Sequence, residues 1–267
     1  MKLINNKDDV YVLIQKIKQN GSSFITNFFI DQEKLNAWIQ EGQLYFIEAP
    51  EGVLFFRKNY DFYHLYYCAG SLNDLSLLLS KYVSNAAFAV DIIGKKQDIE
   101  PVQNVFLNLG FKVHTTLERY TRINKEGSDN YQLSNEVTNA TDSYSGQIAE
   151  MLQKNFDKYA EQVHTLQDVE KLIREGKIIM IGDNGFIKGF LIRTILPQSS
   201  ILNNFLVNPE FRGEKIGSKL LKHYIFESRN TKRLWLWVLS DNEHAINLYK
   251  RHSYVNDGLI DLVLIFK

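Results

Sequence analysis

Twice along the chain an amphipathic run closes on Glu-Gly and gives way to an apolar run. The first is Leu35-Asn36-Ala37-Trp38-Ile39-Gln40-Glu41-Gly42, followed by Gln43 to Ile47. The second is Val169-Glu170-Lys171-Leu172-Ile173-Arg174-Glu175-Gly176, followed by Lys177 to Ile181. Each pattern predicts a helix stopped by a left-handed glycine and then a buried strand. Ala49-Pro50-Glu51-Gly52 and Gly182-Asp183-Asn184-Gly185 predict turns into further strands, Val53 to Arg57 and Phe186 to Arg193. The far ends of the two halves match as well. Asp98 to Phe111 parallels Asn242 to Tyr254, and a terminal strand follows each, Thr116 to Ile123 and Leu259 to Phe266. Such self-similarity implies two copies of one α/β unit. Two unrelated α/β domains with a shared helix–Gly–strand order are the competing reading, and similarity at both ends of each half argues against it. The polar stretch Asn124-Lys125-Glu126-Gly127-Ser128-Asp129-Asn130 is the best linker, which divides the chain into domains 1–126 and 127–267.

Composition narrows the class. The 267 residues suit two domains, and 45% hydrophobic content supplies ordinary cores. Lys and Arg balance Asp and Glu at 31 each, so no net charge draws the chain to nucleic acid or an anionic membrane. The single cysteine, Cys68, forms no intrachain disulfide and fits a reducing compartment. The start Met1-Lys2-Leu3-Ile4-Asn5-Asn6-Lys7 lacks the apolar run of a signal peptide, so a cytoplasmic protein is expected.

The chemistry concentrates in the second copy. An apolar strand, Phe205-Leu206-Val207, leads through Asn208-Pro209 to a basic turn, Arg212-Gly213-Glu214-Lys215-Ile216-Gly217-Ser218, and then to an amphipathic helix from about Ile216. Unpaired amides and the positive end of a helix dipole suit a phosphate. Arg212, Lys215, Lys219 and Lys222 make the turn locally basic. A buried strand, Leu234 to Val238, precedes Asn242-Glu243-His244-Ala245-Ile246-Asn247-Leu248-Tyr249, which closes on Ser253-Tyr254. Ser240 or Asp241 is placed to cap that helix. Trp235 and Trp237 alternate with leucines and so share one strand face, for which core packing is expected over an acceptor pocket.

Together these runs resemble motifs A and B of the GNAT superfamily, the Gcn5-related N-acetyltransferases. Lys215 stands where the family's loop carries its first glycine. The resemblance implies tandem domains, each a mixed, mostly antiparallel sheet flanked by helices. It implies acetyl transfer from acetyl-CoA to an amine by direct attack, with no metal. It assigns the loop Arg212, Gly213, Glu214, Lys215, Ile216, Gly217 and Ser218 to the pyrophosphate, and Phe205, Leu206, Val207 and Asn242 to the pantetheine arm. It makes Tyr249 the general acid. A phenol, which ordinarily titrates near pH 10, is matched to an alkyl thiolate.

The first copy lacks this equipment. Gly70-Ser71-Leu72-Asn73-Asp74 carries no arginine and an acid at the helix start, and Phe106 stands where the second copy has Tyr249. A degenerate domain that no longer binds coenzyme A is expected there. The general base is not legible, and His164, His223, His244 and His252 are scattered. Acceptor choice is expected from roughly Tyr131 to His164. Two other readings stay open. One is a non-catalytic acyl-CoA-binding or partner-binding member. The other is a Fem-type aminoacyl transferase that takes its donor from tRNA, against which the balanced charge argues. The amine acceptor and the oligomeric state are not legible either.

Overall fold

The computed structural model describes residues 1–20, 23–29, 32–83, 86–124, 133–161, 163–183 and 185–267. The chain divides into two compact units, Met1–Thr116 with Leu259–Lys267, and Leu117–Gly258. This is not the single cut at 126/127 expected from the sequence. That boundary and most of the proposed linker lie outside the described residues. The linker's first residue, Asn124, is anchored instead, its Nδ2 donating to the carbonyls of Ser228 (2.9 Å) and Thr231 (2.8 Å). The closing strand of each half belongs to the other half's unit, because a strand's alternation does not name its partner.

Elements run in chain order as follows. Unit 1 holds β1 (Lys2–Leu3), α1 (Lys7–Asn20), β2 (Ile25–Thr26), α2 (Gln32–Gln40), β3 (Leu44–Ala49), β4 (Gly52–Asn59), β5 (Phe62–Ala69), α3 (Leu72–Tyr82), β6 (Phe88–Gly94) and α4 (Lys96–Asn108). The strand β7 (Lys112–Ile123) leads into unit 2. There follow β8 (Thr138–Asn139), α5 (Ser145–Asn155), α6 (Leu166–Arg174), β9 (Ile178–Asp183), β10 (Phe186–Ile195) and β11 (Ser199–Val207). Next come α7 (Ile216–Glu227), β12 (Arg233–Leu239), α8 (Glu243–Arg251) and β13 (Val255–Phe266), whose end returns to unit 1.

In unit 1, β3, β4 and β5 form an antiparallel meander, β6 joins β5 in parallel, and Ile260–Phe266 of β13 pairs antiparallel with β6. One face packs on α3 and α4 through Leu54, Tyr67, Leu78, Phe88 and Phe106. The other packs on α1 and α2 through Val10, Trp38, Val53, Phe55 and Tyr66. Unit 2 repeats the plan. Its strands β9, β10 and β11 are antiparallel, β12 joins β11 in parallel, and Leu117–Ile123 of β7 pairs antiparallel with β12. One face holds α7 and α8 against Leu191, Leu202, Leu234 and Leu236, and the other holds α5 and α6 against Ile178, Met180, Phe190 and Ile192.

The predicted repeat is visible in the caps. Gly42 and Gly176 sit at φ 65° and 64° after α2 and α6. In each case the next amide reaches back to close the helix, Gln43 N–H to Trp38 O and Lys177 N–H to Leu172 O, both at 2.9 Å. The ends of α4 and α8 match too. Gly110 (φ 91°) and Ser253 (φ 64°) both turn left-handed, and Phe111 and Tyr254 donate their amides to Phe106 and Tyr249. A helix closed this way satisfies carbonyls its own ladder leaves free.

Candidate active site

The strand β11 carries a bulge. Arg193 faces Leu202 while Ile192 faces Asn204, so Asn203 is the extra residue. Its side chain is exposed and accepts from Thr194 Oγ1 at 3.0 Å. Pairing with β12 ends at the same place, since Leu202 with Leu236 is the last parallel partnership. From Asn203 to Val207 the strand keeps β10 on one side and has no β12 partner on the other. Backbone donors and acceptors that a sheet would consume are thereby left for something else.

The turn before α7 lies beside this opening. An added Cβ on Gly217 would meet Leu248 at 3.3 Å and Phe205 and Val207 at 3.4 Å each. Glycine there lets the first turn of α7 rest on the unpaired end of β11 and on α8. Lys219 N–H is the first in the helix to find a carbonyl, that of Lys215 at 3.0 Å, so the amides of Ile216, Gly217 and Ser218 are first-turn donors. Lys215 itself is left-handed, at φ 59° and ψ 18°. The site therefore does need a positive φ where the chain supplies no glycine.

The individual side chains divide. Arg212, Gly213, Glu214 and Lys215 are exposed in the turn. Ile216 is buried in the core and can offer only its backbone. Ser218 Oγ is 3.1 Å from His252 Nε2, which links α7 to the end of α8. The basic patch is partly neutralised: Lys219 is bound to Glu136 at 2.7 Å, and Glu214 pairs with Lys188 at 3.6 Å. Asn242, rather than Ser240 or Asp241, caps α8, its Oδ1 accepting from Ala245 N–H at 3.1 Å. Asn242 alone stands at the true N-cap position, where a side-chain oxygen reaches the third helical amide. Its Nδ2 stays at the exposed helix mouth.

Tyr249 is brought to the same place from α8, its ring 6.4 Å from Phe205 and 5.9 Å from Tyr254. It is 4% exposed, and burial pushes its phenol well above the ordinary value, with the charge of Glu161 adding to the shift. Glu161 lies in the connection between α5 and α6. Burial raises its own carboxyl pKa, Asp157 adds like charge, and Asp157 N–H donates to Oε2 at 2.9 Å. No sequence signal marked Glu161, which is one of 31 acids and follows no helical or strand period.

Trp235 and Trp237 do share a face, but not the packed core. Leu234, Leu236 and Val238 are the buried face of β12, while both tryptophans are half-buried opposite. The Arg119 guanidinium lies 5.9 Å from each ring and donates to Asp257 at 2.8 Å. The leucines win the core because β12 presents that face to α7 and α8. Among the described residues, no group of three or more His, Cys, Asp or Glu is arranged to hold a metal ion, and no helix is long and apolar enough to cross a membrane.

Residues 147–254 match the family model for the acetyltransferase (GNAT) family. The chain is 35% identical over 69 residues to ribosomal protein bS18-alanine N-acetyltransferase of Escherichia coli, covering 25% of this chain and 47% of that protein. It is 32% identical over 63 residues to spermine/spermidine N(1)-acetyltransferase of Bacillus subtilis, covering 22% and 41%. The chain thus spans about half the length, or less, of these curated relatives. Among solved structures, a GCN5-related N-acetyltransferase from Sphaerobacter thermophilus is similar in fold, with a TM-score of 0.61 at 13% identity over 88% of this chain and 84% of that one. A tandem GNAT protein from the clavulanic acid biosynthesis pathway gives a TM-score of 0.54 at 11% identity over 81% and 78%.

Proposed function

We propose that unit 2 is an N-acetyltransferase of the GNAT kind, which uses acetyl-CoA to acetylate a primary amine; the match of residues 147–254 to the acetyltransferase (GNAT) family model supports this reading. The observation that carries this reading is the parting of β11 from β12 after Leu202 and Leu236, beside the left-handed turn at Lys215. Phe205 and Val207, whose backbone groups the register turns away from β10, offer them to the amides of an extended arm, whereas those of Leu206 face Phe190. Gly213 to Ser218 offer amides to a pyrophosphate, with Arg212 and Lys215 adding charge. Asn242 Nδ2 is free to donate while Oδ1 holds the cap. The residues present therefore fit a coenzyme A.

Bound acetyl-CoA supplies the acetyl group as a thioester, which an amine takes without a nucleophilic side chain. Glu161 accepts a proton from the incoming ammonium, a task suited to a carboxylate whose pKa burial has raised. Burial keeps the Tyr249 phenol protonated but lifts it above the alkyl thiol it was matched to, so Tyr249 would donate to the departing sulfur only where the bound cofactor brings the phenol back toward the thiol. Of the two amides expected to serve the developing oxyanion, that of Val207 would do so, because the register turns the Leu206 N–H toward β10. The two named relatives act on an alanine of ribosomal protein bS18 and on spermine or spermidine, so both chemistries belong in the acceptor screen.

Calorimetric titration with acetyl-CoA tests this, beside turnover over an amine panel. One site per chain is expected, weakened in Arg212→Ala and kept in Tyr249→Phe, with turnover slowed in Tyr249→Phe and Glu161→Gln. Absence of binding at millimolar acetyl-CoA would overturn the reading. Binding without thiol release over the whole panel would leave a non-catalytic acyl-CoA-binding protein.

A further inference from the structure

Unit 1 repeats the parting of strands but fills it from its own chain. Pairing between β5 and β6 stops after Tyr63 with Phe88 and His64 with Ala89. Into the gap comes β2, with Ile25 opposite Ala69 and Thr26 opposite Cys68. Asn27 bridges both sides of the opening. Its Nδ2 donates to Leu65 O and to Asp91 O, each at 3.1 Å, and its Oδ1 accepts from Tyr67 N–H at 2.8 Å. Thr26 Oγ1 donates to Tyr67 O at 2.7 Å and accepts from Phe28 N–H at 3.0 Å. The side-chain amide of Asn27 thus satisfies backbone groups that β11 leaves free in unit 2.

Beside this plug a cavity of about 400 Å³ remains, bounded by the plug, the end of β6, the start of α3 and the first turns of α4. That volume is in the range of small-molecule sites. Its walls are mainly apolar, among them Phe24, Ile92, Ile99, Pro101 and Val102. Three apolar side chains that line it are also exposed: Phe29 at 72%, Ile93 at 45% and Leu72 at 36%. Among the described residues the one charged lining residue is Asp98, and none is basic. No salt bridge to the Asp98 carboxylate is made among the described residues. Gly94, also in the lining, admits α4 closely, since an added Cβ would meet Ile99 Cγ2 at 2.6 Å. Acids in the first turns of both α3 and α4, Asp74 and Asp98, oppose a phosphate where unit 2 would welcome one.

We propose that this pocket binds an apolar organic cation, with an ammonium at Asp98 and a hydrocarbon or aryl body against the Phe24, Phe29 and Val102 walls. The site lies wholly within unit 1 and does not depend on acetyl transfer by unit 2. Its test uses the full chain without acetyl-CoA, titrated with 4-phenylbutylammonium and with the matched anion 4-phenylbutyrate. The ammonium should bind once per chain and more tightly than the anion by up to about fivefold, the scale of one exposed charge pair. Asp98→Asn should abolish the preference, and the exposed Phe29→Ala should weaken both ligands. Glu161→Gln, in unit 2, should change neither. Failure of both ligands to bind at millimolar concentration would overturn the proposal. So would equal binding of the two that ignores Asp98→Asn, or binding lost in Glu161→Gln and kept in Phe29→Ala.

Discussion

Lys215 is held left-handed at the mouth of the proposed cofactor site, at φ 59° and ψ 18°, without a side-chain cap of its own. A residue with a Cβ in this region costs about 1–2 kcal/mol. Glycine removes that cost but gives back about 0.4–1 kcal/mol through the freedom it adds to the unfolded chain. Lys215→Gly should therefore stabilise unit 2 by about 0.5–1 kcal/mol. For a unit of this size that is a rise of about 1–3 °C in Tm. Lys215→Ala is the deciding control, because it removes the ammonium and keeps the Cβ. It should melt with the wild type. Thermal melts of the three proteins without ligand read this directly. A Lys215→Gly protein no more stable than Lys215→Ala would refute the strain argument, since the gain would then come from lost charge. Titration with acetyl-CoA at low and high salt adds the functional half. Lys215→Gly should weaken binding up to about fivefold at low salt, with the difference shrinking as salt rises.

Ser253 closes α8 at φ 64° where the parallel position of unit 1 is Gly110, so Ser253→Gly should likewise raise Tm. Asn242→Ala should cost about 1 kcal/mol of stability through the lost cap, whereas Asn242→Asp keeps the cap and should lose acetyl-CoA affinity alone; equal affinity in Asn242→Asp and wild type would remove Nδ2 from the site. For Glu161, a carboxyl pKa raised by burial means kcat/KM should climb with pH through that raised value, and Glu161→Gln should flatten this limb of the profile. In unit 1, burial raises Asp91 to about 7 from an ordinary 3.8, beside Asp261, which is raised too, and with His64 Nδ1 at 3.9 Å. Folding then takes up a proton between about pH 4 and 7, so this group's contribution to stability falls as pH rises across that window. His64, pushed down to about 3 by burial, acts oppositely as pH falls below its ordinary 6.5, so the informative quantity is the difference between Asp91→Asn and wild type. That difference should favour Asp91→Asn at pH 8 and vanish near pH 4; a pH-independent difference would exclude the titration of Asp91.

What the sequence determined by itself is whatever local chemistry dictates. Glu41-Gly42 and Glu175-Gly176 had to end helices, because a left-handed residue closes the last turn and glycine takes that conformation freely. The Arg212–Ser218 turn and the Asn242–Tyr249 helix were legible for the same reason, as contiguous runs whose spacing sets their geometry. Tertiary structure decided the rest, because it turns on partners distant along the chain. Thr116 to Ile123 and Leu259 to Phe266 read as closing strands of their own halves, yet Leu117–Ile123 pairs in unit 2 and Ile260–Phe266 in unit 1. Alternation in β12 put Trp235 and Trp237 on one face without saying that helices would cover the other. Glu161 reaches the neighbourhood of Tyr249 only through the path of the α5–α6 connection, and Asn27 reaches Leu65 and Asp91 across 38 and 64 residues. A periodicity fixes which side chains point together, and only the folded chain fixes what they point at.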